Sequence, residues 1–127
     1  MWDDTFDIHS VQNLRAANPT WFGCGAIAKI HDIAKSLTAR GIKSALVVTG
    51  RGAYRTTGAW DQVETALRAA GIRFVLFDQV TPNPTATQVD AAVKLGRNAQ
   101  ARAVIAIGGG SPIDAGKSAA ILLEYPN

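Results

Sequence analysis

The sequence predicts an α/β fold in which helices cover both faces of a parallel sheet. Three short apolar runs have the residue types of buried strands: SALVVT at 44–49, RFVLF at 73–77 and AVIAI at 103–107. Their residues are continuously apolar rather than alternating, which is typical of strands covered on both faces. The runs begin about 30 residues apart with helical patterns between them, which is the spacing of βαβ units.

Helical spacing of apolar residues predicts the helices that accompany these strands. A first helix is predicted at about 26–40, where Gly41 suits its end, and a short strand within 20–26 is predicted to precede it. Two more helices lie between the strands. Their apolar faces are formed by Trp60, Val63, Leu67 and Ala70 in one helix, and by Val89, Ala92, Val93 and Gly96 in the other.

Two helix starts carry residue signals. Thr85 followed by Gln88 has the spacing of a capping box, and Ser111 followed by Pro112 has the pattern of an N-cap with proline at the first helical position. The helix after Ser111 is apolar nearly all round, so it needs burial on more than one side. We therefore expect the chain to be the first part of a longer protein.

Composition excludes several classes of protein. With 127 residues, 47% hydrophobic and 18% charged, the chain fits one globular domain at 1–127. The net charge is +3, but the basic residues are scattered, so no nucleic-acid partner is predicted. Cys24 is the only cysteine, which suits a reducing compartment. No secretory signal or membrane-length apolar run is present, and a cytoplasmic location is predicted.

The segment GGGSPIDAGKS at 108–118 has the composition of a phosphate-binding turn. It does not fit the nucleoside triphosphate pattern G-x-x-x-x-G-K-[ST], because Ser111 stands where the first glycine is required. Pro112 also lacks an N–H group to give a phosphate. The dinucleotide pattern G-x-G-x-x-G is only partly met after the strand at 44–49, where Gly50 and Gly52 fit but Arg55 replaces the third glycine.

The glycines still favour an anionic ligand. They let the backbone approach a ligand closely, and the N–H groups and dipole of the following helix attract an anion such as pyrophosphate. A tight strand-to-helix turn is the structural alternative.

Three segments in order resemble the iron-containing (group III) alcohol dehydrogenase family: FGCGAI at 22–27, TPNPT at 81–85 and GGGSPIDAGK at 108–117. The resemblance implies a Rossmann-like, dinucleotide-binding N-terminal domain related to that of dehydroquinate synthase. It also implies an all-helical, metal-binding C-terminal domain that is absent from this chain. The implied activity is hydride transfer between NAD(P) and a small alcohol or aldehyde. A divalent metal, usually iron, would be bound by the absent domain, and a homodimer is implied.

The resemblance assigns cofactor roles to five residues, a departure from the family pattern adds two more, and no catalytic residue or metal ligand is assigned to this chain. It places the pyrophosphate at the glycine turn, the adenosine along the TPNPT turn, and a carboxylate in the last helix near the nicotinamide end. Where many members carry Asp after the VVT strand, this chain has Gly50 and Arg51, which favours NADP over NAD because space and a cation suit the 2′-phosphate. The predicted cofactor-binding residues are Gly50, Arg51, Asn83, Gly109, Gly110, Ser111 and Asp114.

Two other interpretations stay open from the sequence. One is a nucleotide-binding regulatory module without catalysis. The other is a polyol dehydrogenase or a dehydroquinate-synthase-like enzyme on the same scaffold. By the resemblance, the isolated chain is expected to be inactive, since the substrate and metal contacts would lie elsewhere.

Overall fold

A computed structural model describes residues 12–15, 19–22 and 25–124. Strands β1 and β2 pair as an antiparallel hairpin, and a 3-10 turn leads into helix α1. The remaining elements alternate between strand and helix. The bounds are β1 Gln12–Arg15, β2 Pro19–Phe22, 3-10 turn Ala26–Lys29, α1 Ile30–Ala39, β3 Ser44–Gly50, α2 Ala53–Thr56, α3 Ala59–Ala69, β4 Arg73–Val80, α4 Ala86–Asn98, β5 Ala103–Ile107 and α5 Gly110–Glu124.

The central sheet is parallel, with the strand order β4-β3-β5. Strand β3 lies in the middle, so Val47 pairs with Leu76 on one side and with Ile105 on the other. Its residues 44–49 are all buried, which explains why this run is continuously apolar. The predicted α/β fold with a Rossmann-like parallel sheet is confirmed.

Successive residues of β3 enter two different cores. Val47 packs on one face with Val63 and Leu67 of α3, whereas Leu46 and Val48 pack on the other face against α4 and α5. Trp60 adds edge-to-face contacts in the first core, with ring centroids 5.9 Å from Tyr54 and 5.4 Å from Phe74. The apolar faces predicted for α3 and α4 are confirmed, since most of their residues are buried.

Strand β4 carries an extra residue near its carboxyl end. Val48 pairs with Phe77, but Gly50 pairs with Val80, so Asp78 and Gln79 both lie opposite a single residue of β3. Side chains of a strand alternate between faces, and one inserted residue reverses that alternation. Phe77 and Val80 therefore reach the same core, although they are three positions apart. The sequence pattern predicted only 73–77 as strand and missed this bulge.

The predicted helix starts have different outcomes. Thr85 caps α4 as predicted, with its Oγ1 accepting from the Gln88 N–H at 3.2 Å. The prediction of Ser111 as N-cap is wrong, because α5 already begins at Gly110 and the Gly109 carbonyl accepts from the Ile113 N–H at 3.3 Å. The predicted helix at 26–40 is a 3-10 turn followed by α1, and the predicted strand corresponds to β2.

Helix α5 leaves three large apolar side chains exposed, and its exposed side also carries Asp114, Lys117 and Ser118. The exposed fractions are 39% for Ile113, 58% for Ile121 and 41% for Leu122. The inner face of α5 packs closely on β5 at Gly116, where a Cβ would lie 2.8 Å from Ala106 Cβ. Within the described ranges, no helix combines the length and hydropathy needed to cross a bilayer. Cys24 lies outside the described residues.

Gln100, just after α4, has a left-handed backbone with φ of 56°. We expect Gln100→Gly to raise the free energy of unfolding by about 0.5–1 kcal/mol, because glycine avoids the left-handed penalty of a Cβ. Urea unfolding measures the change. Gln100→Ala keeps the Cβ and should show no such gain, and equal stabilities of the two variants would contradict the explanation.

Candidate functional site

An open cleft of about 380 Å³ lies at the carboxyl edge of the sheet. It is formed where all three parallel strands end, so residues far apart in sequence meet there. Its volume is within the range of small-molecule sites. The lining residues are Gly50 and Arg51 after β3, Val80, Thr81 and Pro82 after β4, and Gly109, Gly110, Ser111 and Pro112 after β5.

The topology explains why the cleft is at this position. The chain passes from β3 to β4 on one side, then crosses back over β3 to β5. Helix α3, which lies between β3 and β4 in the chain, covers one face of the sheet, whereas α5 after β5 covers the other. In open α/β sheets, ligands bind at such a switch point, outside the carboxyl ends of the strands.

The glycine turn between β5 and α5 has one constrained position and two open ones. Gly108 has φ of 135°, and a Cβ there would lie 2.8 Å from Pro112 Cγ. A Cβ on Gly109 or Gly110 would have no atom within 4 Å, so this backbone is open to a ligand. The first N–H groups of a helix have no partner within the helix, and here they lie at the cleft. The turn can therefore take an anion.

A hydrogen bond joins the two walls of the cleft. The Ser111 hydroxyl donates to the Pro82 carbonyl oxygen at 2.6 Å. Behind that wall, the Gln88 side chain on α4 holds Thr81 by both its oxygen and its nitrogen. Sequence reasoning missed Thr81 and Pro82 as residues of the cleft, and Gln88 as the residue that holds Thr81, because it considered the TPNPT turn only through Asn83.

The structure brings five of the seven predicted residues together. Asn83 is exposed in the turn next to Pro82, and Asp114 is exposed on α5. Neither of them lines the cleft. The five that do are Gly50, Arg51, Gly109, Gly110 and Ser111.

A polar cluster near the ends of β3 and β4 was not predicted. The buried Tyr54 hydroxyl donates to Asp78 Oδ2 at 3.2 Å and accepts from Arg55 Nε at 2.8 Å. The pKa of Asp78 is lowered, mainly because Gln79 donates to it at 2.8 Å and also because Tyr54 does. The sequence signal was Arg55 in the place of the third glycine of the dinucleotide pattern, but neither its hydrogen bond to Tyr54 nor the link from Tyr54 to Asp78 could be read from it.

The structure also removes the triphosphate-loop interpretation of Gly116, Lys117 and Ser118. All three lie inside α5, and Lys117 is an exposed side chain about two turns from the helix start at Gly110. Gly116 serves the close approach to β5 described above. In the described part of the chain, no three His, Cys, Asp or Glu side chains are grouped as a metal site.

The sheet order, the glycine turn and the position of the cleft are typical of the class of α/β proteins that bind nucleotides. A sequence model described as iron-containing alcohol dehydrogenase matches residues 17–127. The chain belongs to the iron-containing alcohol dehydrogenase family, as the resemblance of its motifs indicated.

Individual relatives agree with this assignment. The long-chain primary alcohol dehydrogenase of Thermoanaerobacter ethanolicus is 50% identical over 125 residues, covering 98% of this chain and 31% of the relative. The structure of an NADH-dependent butanol dehydrogenase from Thermotoga maritima matches with a TM-score of 0.72 and 35% identity, covering 88% of this chain and 28% of that one.

A third relative was solved with a nucleotide. The sulfoacetaldehyde reductase of Bifidobacterium kashiwanohense, in complex with NAD+, matches with a TM-score of 0.66 and 27% identity, covering 83% of this chain and 26% of that one. The chain thus spans about a third or less of the length of these relatives.

Proposed function

We propose that this chain forms the nucleotide-binding portion of an NAD(P)-dependent oxidoreductase acting on a small alcohol or aldehyde. The observation that carries the proposal is the open glycine turn at the start of α5, which lines a cleft at the carboxyl edge of the sheet. The family and the activities for which its relatives are named support the substrate class. When bound, the nicotinamide gives or accepts the hydride.

The chain's own residues would bind and orient the cofactor. The N–H groups of Gly109, Gly110 and Ser111 would hold the pyrophosphate, and the α5 dipole would add to that attraction. The Ser111 hydroxyl has a single proton, which it donates to Pro82. It could donate to a phosphate only by exchanging that partner, so the backbone groups carry the larger share of this role.

Asn83 and Asp114 do not line the cleft, and they remain proposed contacts of the parts of the cofactor that extend beyond it. Asn83 follows Pro82 at the rim of the cleft, which suits the adenosine side. Asp114 lies one turn into α5, where a carboxylate near the helix start is favourable by about 0.3–1 kcal/mol in any protein. Its proposed role is to order that first turn near the nicotinamide end.

The metal of the family would need ligands that the described part of this chain does not supply. The described residues contain no group of three His, Cys, Asp or Glu side chains that could hold iron, so they do not fit that role. The proposal for this chain is limited to binding and orienting the nucleotide. A homodimer and a cytoplasmic location are proposed on the family resemblance.

The proposed cofactor preference is NADP. Gly50 ends β3 without a carboxylate, and Arg51 is exposed and lines the cleft beside it. A carboxylate at this point binds the ribose hydroxyls of NAD, whereas a nearby arginine accommodates the 2′-phosphate of NADP. The guanidinium group of an arginine forms strong, charge-assisted hydrogen bonds with phosphate oxygens.

Calorimetric titration of the chain with NADPH, NADH and ATP at one salt concentration tests both parts of the proposal. We expect NADPH to bind more tightly than NADH. Arg51→Ala should weaken NADPH binding about tenfold, which corresponds to ~1.4 kcal/mol, and leave NADH within about twofold. Arg102→Ala, an exposed arginine before β5, is the control for the loss of one charge.

The outcomes separate the two parts. Tighter binding of NADH would contradict the NADP preference and keep the nucleotide site. Binding of ATP without either dinucleotide would contradict the oxidoreductase role.

A further inference from the structure

We propose that Gln88 is a positioning residue for nucleotide binding, since its side chain fixes the turn at 81–85 that forms one wall of the cleft. This inference rests on the proposed function. Gln88 itself does not line the cleft. It lies in the first turn of α4, behind the wall, and acts through Thr81.

The contacts between Gln88 and Thr81 use both ends of the side-chain amide. Gln88 Oε1 accepts from the Thr81 N–H at 3.4 Å and from the Thr81 hydroxyl at 3.3 Å. Gln88 Nε2 donates to the same hydroxyl at 3.1 Å. Backbone and side chain of Thr81 are therefore held by one group, which restricts both.

The direction of the Gln88 side chain departs from what helix capping would require. In a capping box, the third residue returns to the N–H of the N-cap residue. Here Thr85 does accept from the Gln88 backbone N–H, but the Gln88 side chain reaches Thr81, seven residues earlier. A side chain that commonly completes the cap is thus engaged at the wall of the cleft.

The turn is held at a second point from the opposite side. Ser111 of α5 donates to the Pro82 carbonyl, and the Thr81 hydroxyl lies 3.4 Å from the Asn83 carbonyl oxygen. Gln88 on α4 and Ser111 on α5 therefore hold the turn at 81–85 from two sides. A wall fixed before the ligand arrives lowers the ordering cost of binding, so losing the Gln88 contacts should weaken binding without removing any ligand contact.

The test compares Gln88→Met, which keeps the bulk and removes the hydrogen bonds, with Gln62→Ala at an exposed position of α3. NADPH affinity is measured by calorimetry well below the unfolding temperature, together with amide hydrogen exchange at Thr81. We expect Gln88→Met to weaken NADPH binding about fivefold and to speed Thr81 exchange, as for the loss of hydrogen bonds of ordinary strength. Gln62→Ala should change neither.

A double-mutant cycle separates positioning from general destabilisation. If Gln88 acts through Thr81, Gln88→Met should have a much smaller effect on NADPH affinity in a Thr81→Val background than alone. Full additivity of the two changes, or unchanged NADPH affinity in Gln88→Met, would overturn the role of Gln88 and leave the nucleotide site standing. Absence of NADPH binding by the unaltered chain would overturn the proposed function and this role with it.

Discussion

Gly108→Ala is expected to lower the free energy of unfolding by about 2–4 kcal/mol, the sum of backbone strain and overpacking. The residue has φ of 135°, a conformation that side chains with a Cβ rarely adopt, and its Cβ would lie 2.8 Å from the ring of Pro112. That ring is buried and cannot swing away. Because Gly108 sets the direction of the chain into α5, NADPH affinity should also fall. Urea unfolding and calorimetry measure the two effects.

The matched control is the next residue. A Cβ on Gly109 has no atom within 4 Å, so Gly109→Ala should leave the free energy of unfolding within about 0.5 kcal/mol. The same variant places a methyl group on the proposed phosphate path, and loss of NADPH affinity in a fully stable protein would locate the ligand at the turn. Equal stabilities for the two alanine variants would contradict the account of Gly108.

Leu67→Ala is expected to destabilise the chain by about 2–5 kcal/mol, the usual range for removing a buried leucine side chain. Leu67 is 0% exposed, and it packs between α3 and the sheet in the core that also contains Val47 and Trp60. The cost combines lost burial with a cavity that the close-packed neighbours fill only in part. Thermal and urea unfolding should agree on the loss.

Leu122→Ala makes the same chemical change on α5, where the leucine side chain is 41% exposed. We expect a change below about 1 kcal/mol, since less apolar surface is removed from the interior. A loss at Leu122 as large as that at Leu67 would show that the Leu122 side chain is covered in solution.

The sequence predicted the strands and helix faces well because burial on both sides leaves a continuous apolar run, and one-sided burial leaves a helical stripe. The run at 44–49 is central and fully buried, and its prediction needed no partner. Five residues of the cleft were named from the sequence motifs, and the structure brings them together because the glycines after β5 and Gly50 at the end of β3 lie at the same edge of a parallel sheet.

The details of the site depend on contacts between distant segments, which no local pattern contains. Ser111 has the residue type of an N-cap, but its hydroxyl donates a hydrogen bond to the Pro82 carbonyl, 29 positions earlier. Gln88 has the spacing of a capping box, but its side chain forms hydrogen bonds with Thr81. In both cases a side chain of a type that commonly caps a helix forms its hydrogen bond with a residue of the cleft wall instead.

The bulge in β4 has a consequence for how homologous sequences should be aligned. Deleting Gln79 would restore regular pairing with β3 and keep Val80 on the α4 and α5 side, because Phe77 and Val80 would then lie two positions apart on a regular strand. A gap of one residue placed at Asp78 or Gln79 therefore preserves the faces, whereas a gap of one residue elsewhere in β4 exchanges them. Single-residue length changes between homologues should be found at the bulge and in the exposed turn that follows, and should be far rarer in the rest of the strand.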